Sequence, residues 1–155
     1  MDEWRLPWTA SCLCGQVKMR VTKAPLVSMA CHCTGCQKLT SGPYSLSLLL
    51  PADGFEVTEG EPVTGGLHGE NQQMYCPHCK NWLFTRMPHL PFVNFRPGML
   101  DGGNWTRPII ETMTRERLPF ATTGAEFSFD GFPAPEDYAP AMAAFADHGA
   151  RPPAP

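Results

Sequence analysis

The chain has 155 residues, among them 17 Pro, 14 Gly and 7 Cys. Pro and Gly make up a fifth of it, above the usual share of about 12% and below the roughly 25–30% typical of low-complexity disorder. Apolar residues are 43%, charged residues 17% and the net charge is −3. There is material for one core and no basic excess to neutralise nucleic-acid phosphates.

Strand patterns come first along the chain. Gln16 to Thr22 alternates strictly, with Val17, Met19 and Val21 on one face and Gln16, Lys18, Arg20 and Thr22 on the other, the pattern of a half-buried strand. Ser45 to Leu50 places Leu46, Leu48 and Leu50 at period two, and Phe55 to Thr58 is a short candidate between Asp53-Gly54 and Gly60. Met74-Tyr75 and Trp82-Leu83-Phe84 read as two hairpin arms with Cys76-Pro77-His78-Cys79 at the tip. Phe92 to Phe95 is a further strand, Asp101 to Asn104 a turn, and Glu126 to Phe129 alternates again. Helical periodicity is nearly absent over the first 130 residues, so the expected fold is mainly β. The end differs. Glu136 to Asp147 predicts one helix, with Tyr138, Met142 and Phe145 as a stripe that docks on the sheet and Gly149 as its stop. The expected organisation is a β domain over 1–132, a helical extension over 133–149 and a disordered tail over 150–155.

An odd cysteine count cannot close into disulfides within one chain without a leftover. The sequence starts on acids rather than an apolar leader. The most apolar stretch, Leu46 to Leu50, contains Ser47 and stops at Pro51, far short of the roughly 18 residues of a membrane helix. The expectation is a cytoplasmic protein, without membrane or nucleic-acid partners, whose cysteines do metal or thiol chemistry.

The cysteines fall into three groups: Cys12-Leu13-Cys14, Cys31-His32-Cys33-Thr34-Gly35-Cys36 and Cys76-Pro77-His78-Cys79. Residues i and i+2 of an extended segment face the same way, so a CxC presents two sulfurs to one point, as does a CxxC in a tight turn. Two such pairs complete a four-sulfur zinc site. Two partitions are open. Cys12, Cys14, Cys76 and Cys79 form one closed site and leave Cys31, Cys33 and Cys36 as a three-sulfur site, or Cys33, Cys36, Cys76 and Cys79 form a zinc ribbon and leave three cysteines over. Spacing mildly favours the ribbon; the first partition leaves no orphan.

Ser11-Cys12-Leu13-Cys14-Gly15, then Cys31 to Lys38 followed by Ser41-Gly42, and Cys76-Pro77-His78-Cys79 together resemble the glutathione-dependent formaldehyde-activating enzyme family, which also includes centromere-protein-V-like proteins. Pro97-Gly98-Met99-Leu100-Asp101 is similar to its downstream Gly-x-Leu-Asp element, and the resemblance spans roughly Ser11 to Pro119. It implies a β-tent fold related to zinc ribbons. It also implies two zincs per chain: a structural one on Cys12, Cys14, Cys76 and Cys79, and a catalytic one on Cys31, Cys33 and Cys36 with an open position. A thiol bound there loses its proton more readily. The implied activity is that of a carbon–sulfur lyase, joining a formaldehyde-like aldehyde to a glutathione-like thiol as a hemithioacetal. The alternative is a non-catalytic module with two structural zincs that engages a protein partner. Two features depart from the family pattern. Lys80-Asn81 follows the last CxxC where Gly is usual, so Asn81 is expected in the left-handed turn. A customary Trp is missing near Thr112-Met113-Thr114. His32 and His78 are expected at the surface, and His68 in a loop. Lys38, Arg86 and Arg96 are expected as solvated surface cations, Tyr44, Phe92 and Phe95 as core, and Trp4 and Trp8 as cover for a sheet edge.

Overall fold

The computed structural model describes residues 3–65 and 69–155. Eleven strands among these residues are β1 (Trp8–Ser11), β2 (Lys18–Val21), β3 (Val27–Cys31), β4 (Ser45–Pro51), β5 (Phe55–Glu59), β6 (Val63–Gly65), β7 (Gln72–Tyr75), β8 (Trp82–Arg86), β9 (Phe92–Phe95), β10 (Ile110–Thr112) and β11 (Phe127–Ser128). Helix α1 (Thr34–Thr40) and helix α2 (Pro135–His148) complete the regular elements, with short 3-10 turns between them. The protein is mainly β with a short C-terminal helix, as expected.

Three strands form an antiparallel sheet in the order β1-β2-β5; eight form a second sheet in the order β11-β10-β3-β4-β9-β8-β7-β6. β10 runs parallel to both β3 and β11, and the other pairs are antiparallel. The small sheet lies on one face of the large one. Val17, Met19, Val21 and Phe55 meet Leu48, Leu50, Leu83, Phe84 and Phe95 in one buried cluster, with the Phe55 ring 4.8 Å from that of Phe84. α2 covers part of the other face, its Ala141 and Phe145 fully buried against Val27, Ile109 and Ile110.

The alternation of Val17, Met19 and Val21 holds, with all three buried while Lys18 and Arg20 are exposed. β4 differs. Leu48 and Leu50 enter the core, and Ser45 and Ser47 are buried on the opposite face. This strand is covered on both sides, so one-face alternation describes only half of it. β1, β3, β6, β10 and α1 lie where no element was expected. β3 is the informative case: Val27, Ser28 and Ala30 are all buried, and burial on both faces erases period two. α1 is seven residues long, too short for a helical period to show.

α2 begins one residue before the expected Glu136 and ends one after Asp147. The Asp137 carboxylate accepts a hydrogen bond from the Ala134 N–H at 3.1 Å. Pro140 lies inside the helix. A Cβ at Gly149 would meet the Phe145 ring at 2.3 Å, so glycine is required where the chain folds back. In the terminal segment the Arg151 guanidinium lies 3.7 Å over the Trp4 ring and donates to the carbonyls of Ala146 and Gly149. No helix among the described residues is long and apolar enough to cross a membrane.

Candidate metal centre and its cavity

Cys12 and Cys14 close the turn between β1 and β2. Gly15 holds that turn with a φ of +78°, and its N–H donates to the Cys12 carbonyl at 3.0 Å. Cys76 and Cys79 close the turn between β7 and β8. Packing of the small sheet over the large one brings the two turns together, so that the four sulfurs lie within 4.8 Å of one another. Cys12 and Cys14 sulfurs are 3.5 Å apart, and those of Cys14 and Cys76 3.7 Å. A tetrahedral zinc with bonds of about 2.3 Å sets its sulfurs about 3.8 Å apart, so this donor set fits that metal. The amide N–H groups of Val17 and Cys79 donate to the sulfurs of Cys12 and Cys76 at 3.3 and 3.4 Å, which favours the thiolate form. Burial opposes ionisation of Cys79, but the amides of Asn81 and Cys14 and the neighbouring thiols bring it down to about 6.

Cys31 ends β3, Cys33 caps α1 and Cys36 lies in the first turn of α1. The cap is a sulfur: Cys33 Sγ accepts from the Cys36 N–H at 3.2 Å. The three sulfurs form a second group within 4.8 Å. A hydrogen bond from Cys36 lowers Cys31 most, to about 5, against burial and with help from the Thr112 hydroxyl. Sharing that proton, together with burial, pushes Cys36 up. Burial chiefly raises Cys33. Three converging thiols competing for protons are a donor set that a cation completes. Of the two partitions left open by spacing, the structure brings together four and three.

Cys31 and Cys36 line a cavity of about 160 Å³, with Ser45, Ser47, Thr112, Trp82, Thr85, Asn94 and Arg96 among its other walls. None of the four clustered cysteines of the β1–β2 and β7–β8 turns lines it. Arg96 corrects the expectation of a solvated surface cation. Its guanidinium stacks 3.6 Å from the Trp82 ring centre and donates to the Leu46 carbonyl at 3.0 Å and the Thr85 hydroxyl at 3.2 Å. Burial lowers it to about 10, opposed by the charge of Cys36, Cys31 and Tyr75, so it is cationic at neutral pH. Lys38, Arg86 and His78 are exposed as expected, and His68 lies outside the described residues.

His32 is a second correction. It is fully buried, not superficial. Its Nε2 lies 2.9 Å from a Glu111 oxygen, and its ring packs edge-on to Tyr44 at 5.4 Å. Glu111 also accepts from the hydroxyls of Thr123 at 2.7 Å and Ser128 at 3.0 Å. The turn after the last CxxC is a third. Lys80, not Asn81, takes the left-handed conformation, with a φ of +62°. Asn81 instead accepts a hydrogen bond from the Leu13 N–H at 2.7 Å and so ties the two sulfur turns to each other. Phe95 is core as expected, whereas Tyr44 and Phe92 are half-buried. Trp8 is itself part of the edge strand β1, and Trp4 bridges it to Phe145 of α2. The wall residues Ser45 and Thr112 escaped the sequence reading. A signal for Ser45 existed: serines alternating with leucines from Ser45 to Leu48 mark a strand with one apolar and one polar buried face.

Pro97 to Asp101 has a structural function. Leu100 enters the core, and the Asp101 carboxylate accepts from the Thr9 and Ser11 hydroxyls at 2.8 and 3.1 Å, which fastens β1 beside Cys12. A solved structure of a Rhodobacter sphaeroides protein, a structural genomics target, shares this fold. It aligns with a TM-score of 0.51 at 16% identity, covering 61% of this chain and 88% of the other. No curated protein sequence gives a significant match. The family model described as glutathione-dependent formaldehyde-activating enzyme matches residues 7–116. That span runs from β1 to the turn after β10 and takes in all seven cysteines, and the chain belongs to this family.

Proposed function

We propose that the protein is a zinc-dependent carbon–sulfur lyase, joining a formaldehyde-like aldehyde to a glutathione-like thiol at the Cys31, Cys33 and Cys36 group. The supporting observation is the difference between the two sulfur groups. Two of the three sulfurs in this group face a cavity, while the four-sulfur group stands at the junction of two sheets and serves to hold them. Cys31, Cys33 and Cys36 would hold one zinc; Cys12, Cys14, Cys76 and Cys79 would hold the other. A zinc with three protein ligands and one open position favours the ionised form of an incoming thiol.

This chain's own residues supply the rest. Arg96 brings positive charge beside three sulfurs that are negative in the loaded site. Its hold on Leu46, Thr85 and Trp82 fixes that charge before substrate arrives, so little reorganisation accompanies the reaction. Ser45 and Thr112 stand in the cavity wall with Cys36 and Cys31, and their hydroxyls favour the ionised form of these sulfurs. At about 160 Å³ the cavity is smaller than the roughly 300–1,000 Å³ of a drug-sized site. It accommodates an aldehyde and the sulfur end of a thiol, and the rest of a tripeptide thiol would lie at its mouth.

The test is exchange spectroscopy on formaldehyde and glutathione with catalytic amounts of the zinc-loaded protein. The native chain should raise the exchange rate over buffer, and Cys31→Ser should return it to the buffer rate. Two zincs per chain with no acceleration would overturn the lyase reading and leave a zinc-binding module.

A further inference from the structure

The family match ends at residue 116, yet two walls of the cysteine-lined cavity come from beyond it. Phe132 and Tyr138 face the same space as Cys31 and Cys36. Each is held in place by contacts of its neighbours in the chain. The segment before Phe132 is laced to the strand end beside the sulfurs: Met113 N–H donates to the Gly131 carbonyl at 3.0 Å, and Thr114 N–H to the Phe129 carbonyl at 3.1 Å. Met113 itself packs on Cys33 and Cys36, and its neighbour Thr112 lies opposite Cys31 in the β10–β3 register. Phe132 therefore keeps a fixed distance from the metal-binding group. Its side chain is 65% exposed, so core formation does not explain its position. Tyr138 lies in the first turns of α2 and is half-buried, in register with Ala141 and Phe145, which are fully buried. Docking of those two residues fixes where the phenol ring stands.

We infer that Phe132 and Tyr138 are specificity-determining residues: they form a steric wall supplied by the C-terminal segment that limits what reaches Cys31 to small, unbranched molecules. The inference rests on the reading of this cavity as the reaction chamber, and it adds which side chains set its size. A space near 150 Å³ is about enough for one benzene molecule, so once the sulfur end of a thiol is inside, room is left only for a short aldehyde. Losing either ring joins the cavity to solvent on that side, and bulkier reactants then gain entry. Within the proposed chemistry, the wall would admit short aldehydes and reject aromatic or branched ones.

Binding of thiols to the protein loaded with cobalt in place of zinc tests the wall without relying on turnover. The probes are 2-mercaptoethanol, which is small, and tert-butylthiol, which is branched and bulky, with binding read as the change in cobalt absorption. In the native chain 2-mercaptoethanol should bind and tert-butylthiol should bind far more weakly. Phe132→Ala and Tyr138→Ala should each raise the bulky-to-small affinity ratio by about tenfold, the low end of steric discrimination by a pocket. Tyr138→Phe keeps the ring and should leave the ratio unchanged. Phe132 is exposed, so its replacement leaves the fold intact; zinc content and thermal unfolding check this for all three variants. An equal gain for both thiols, or no gain for the bulky one, in Phe132→Ala would overturn the wall. The formaldehyde exchange assay stands apart. A changed ratio in a chain that does not accelerate exchange would retain the wall and reject the lyase reading, and the converse would do the opposite.

Discussion

Glu111 is an acid in a strand whose three residues are all buried, and three side chains surround its carboxylate. Burial raises its pKa, but the hydrogen bonds from Thr123, His32 and Ser128 outweigh burial and leave it below the usual carboxylate value. A lowered carboxylate contributes stability that is fully present above the unfolded value of about 4.5 and is lost as pH falls through the folded one. Glu111→Gln keeps the shape and loses the charge that these donors address. It should cost about 1–3 kcal/mol at pH 7, measured by urea unfolding, and its deficit against the native chain should shrink in acid. His32 could not be assigned from its position between two cysteines. In an extended CxC the middle residue points away from the metal side, and whether that side is solvent or core depends on β10, contributed by residues about eighty positions away. The same limit governs Arg96. Its charge suggested solvent, but a neighbouring indole and a carbonyl from another strand supply a half-buried place for it.

At the scale of elements, α2 joins the rest of the chain through its apolar stripe and through its last residue. His148 Nε2 lies 2.7 Å from Glu126, and Nδ1 lies 3.2 Å from Asp147. These two carboxylates, Glu126 first, raise the imidazole above its ordinary value of 6.5. A cation at a helix C-terminus also meets the negative end of the helix dipole. A raised histidine contributes stability that is complete below the unfolded value and lost as pH rises through the folded one. Amide protection in the last turn of α2, taken relative to the intrinsic base-catalysed exchange rate at each pH, should therefore be greater at about pH 6 than at about pH 8.5. His148→Ala should abolish the difference, and added salt should weaken it, because these groups are exposed. The helix itself was legible because a stripe of Tyr138, Met142 and Phe145 spans two turns. α1 was not legible. Its start is set by a cysteine acting as a cap, and its end by Ser41 in the left-handed region with a φ of +52°, neither of which follows from periodicity.

For the molecule as a whole, the two sulfur groups differ in what depends on them. Cys12 and Cys76 belong to the main core, and their group joins the small sheet to the β7–β8 turn of the large one. A structural zinc contributes about 10–16 kcal/mol in small peptides, comparable to the roughly 5–15 kcal/mol that separates a whole folded domain from its unfolded chain. Cys76→Ser should thus lose the cooperative thermal transition along with metal. Cys31→Ser should lose one metal of two and remain folded, since β3 keeps its neighbours β4 and β10. Metal analysis alongside thermal unfolding of the two variants measures both outcomes.

By itself the sequence determined the mainly β character, through period-two segments broken by Gly and Pro, and it supplied the seven cysteines in three tight groups. Those properties are local: a strand face and a CxxC turn are set within a few residues. It did not determine which cysteine groups come together, because sulfurs from two turns meet only when the small sheet folds over the large one. The cavity was equally out of reach. Its walls come from β3, α1, β4, β8, β9, β10 and α2 among others, and only packing two layers against one sheet places Arg96, Phe132 and Tyr138 around the same space as Cys31 and Cys36.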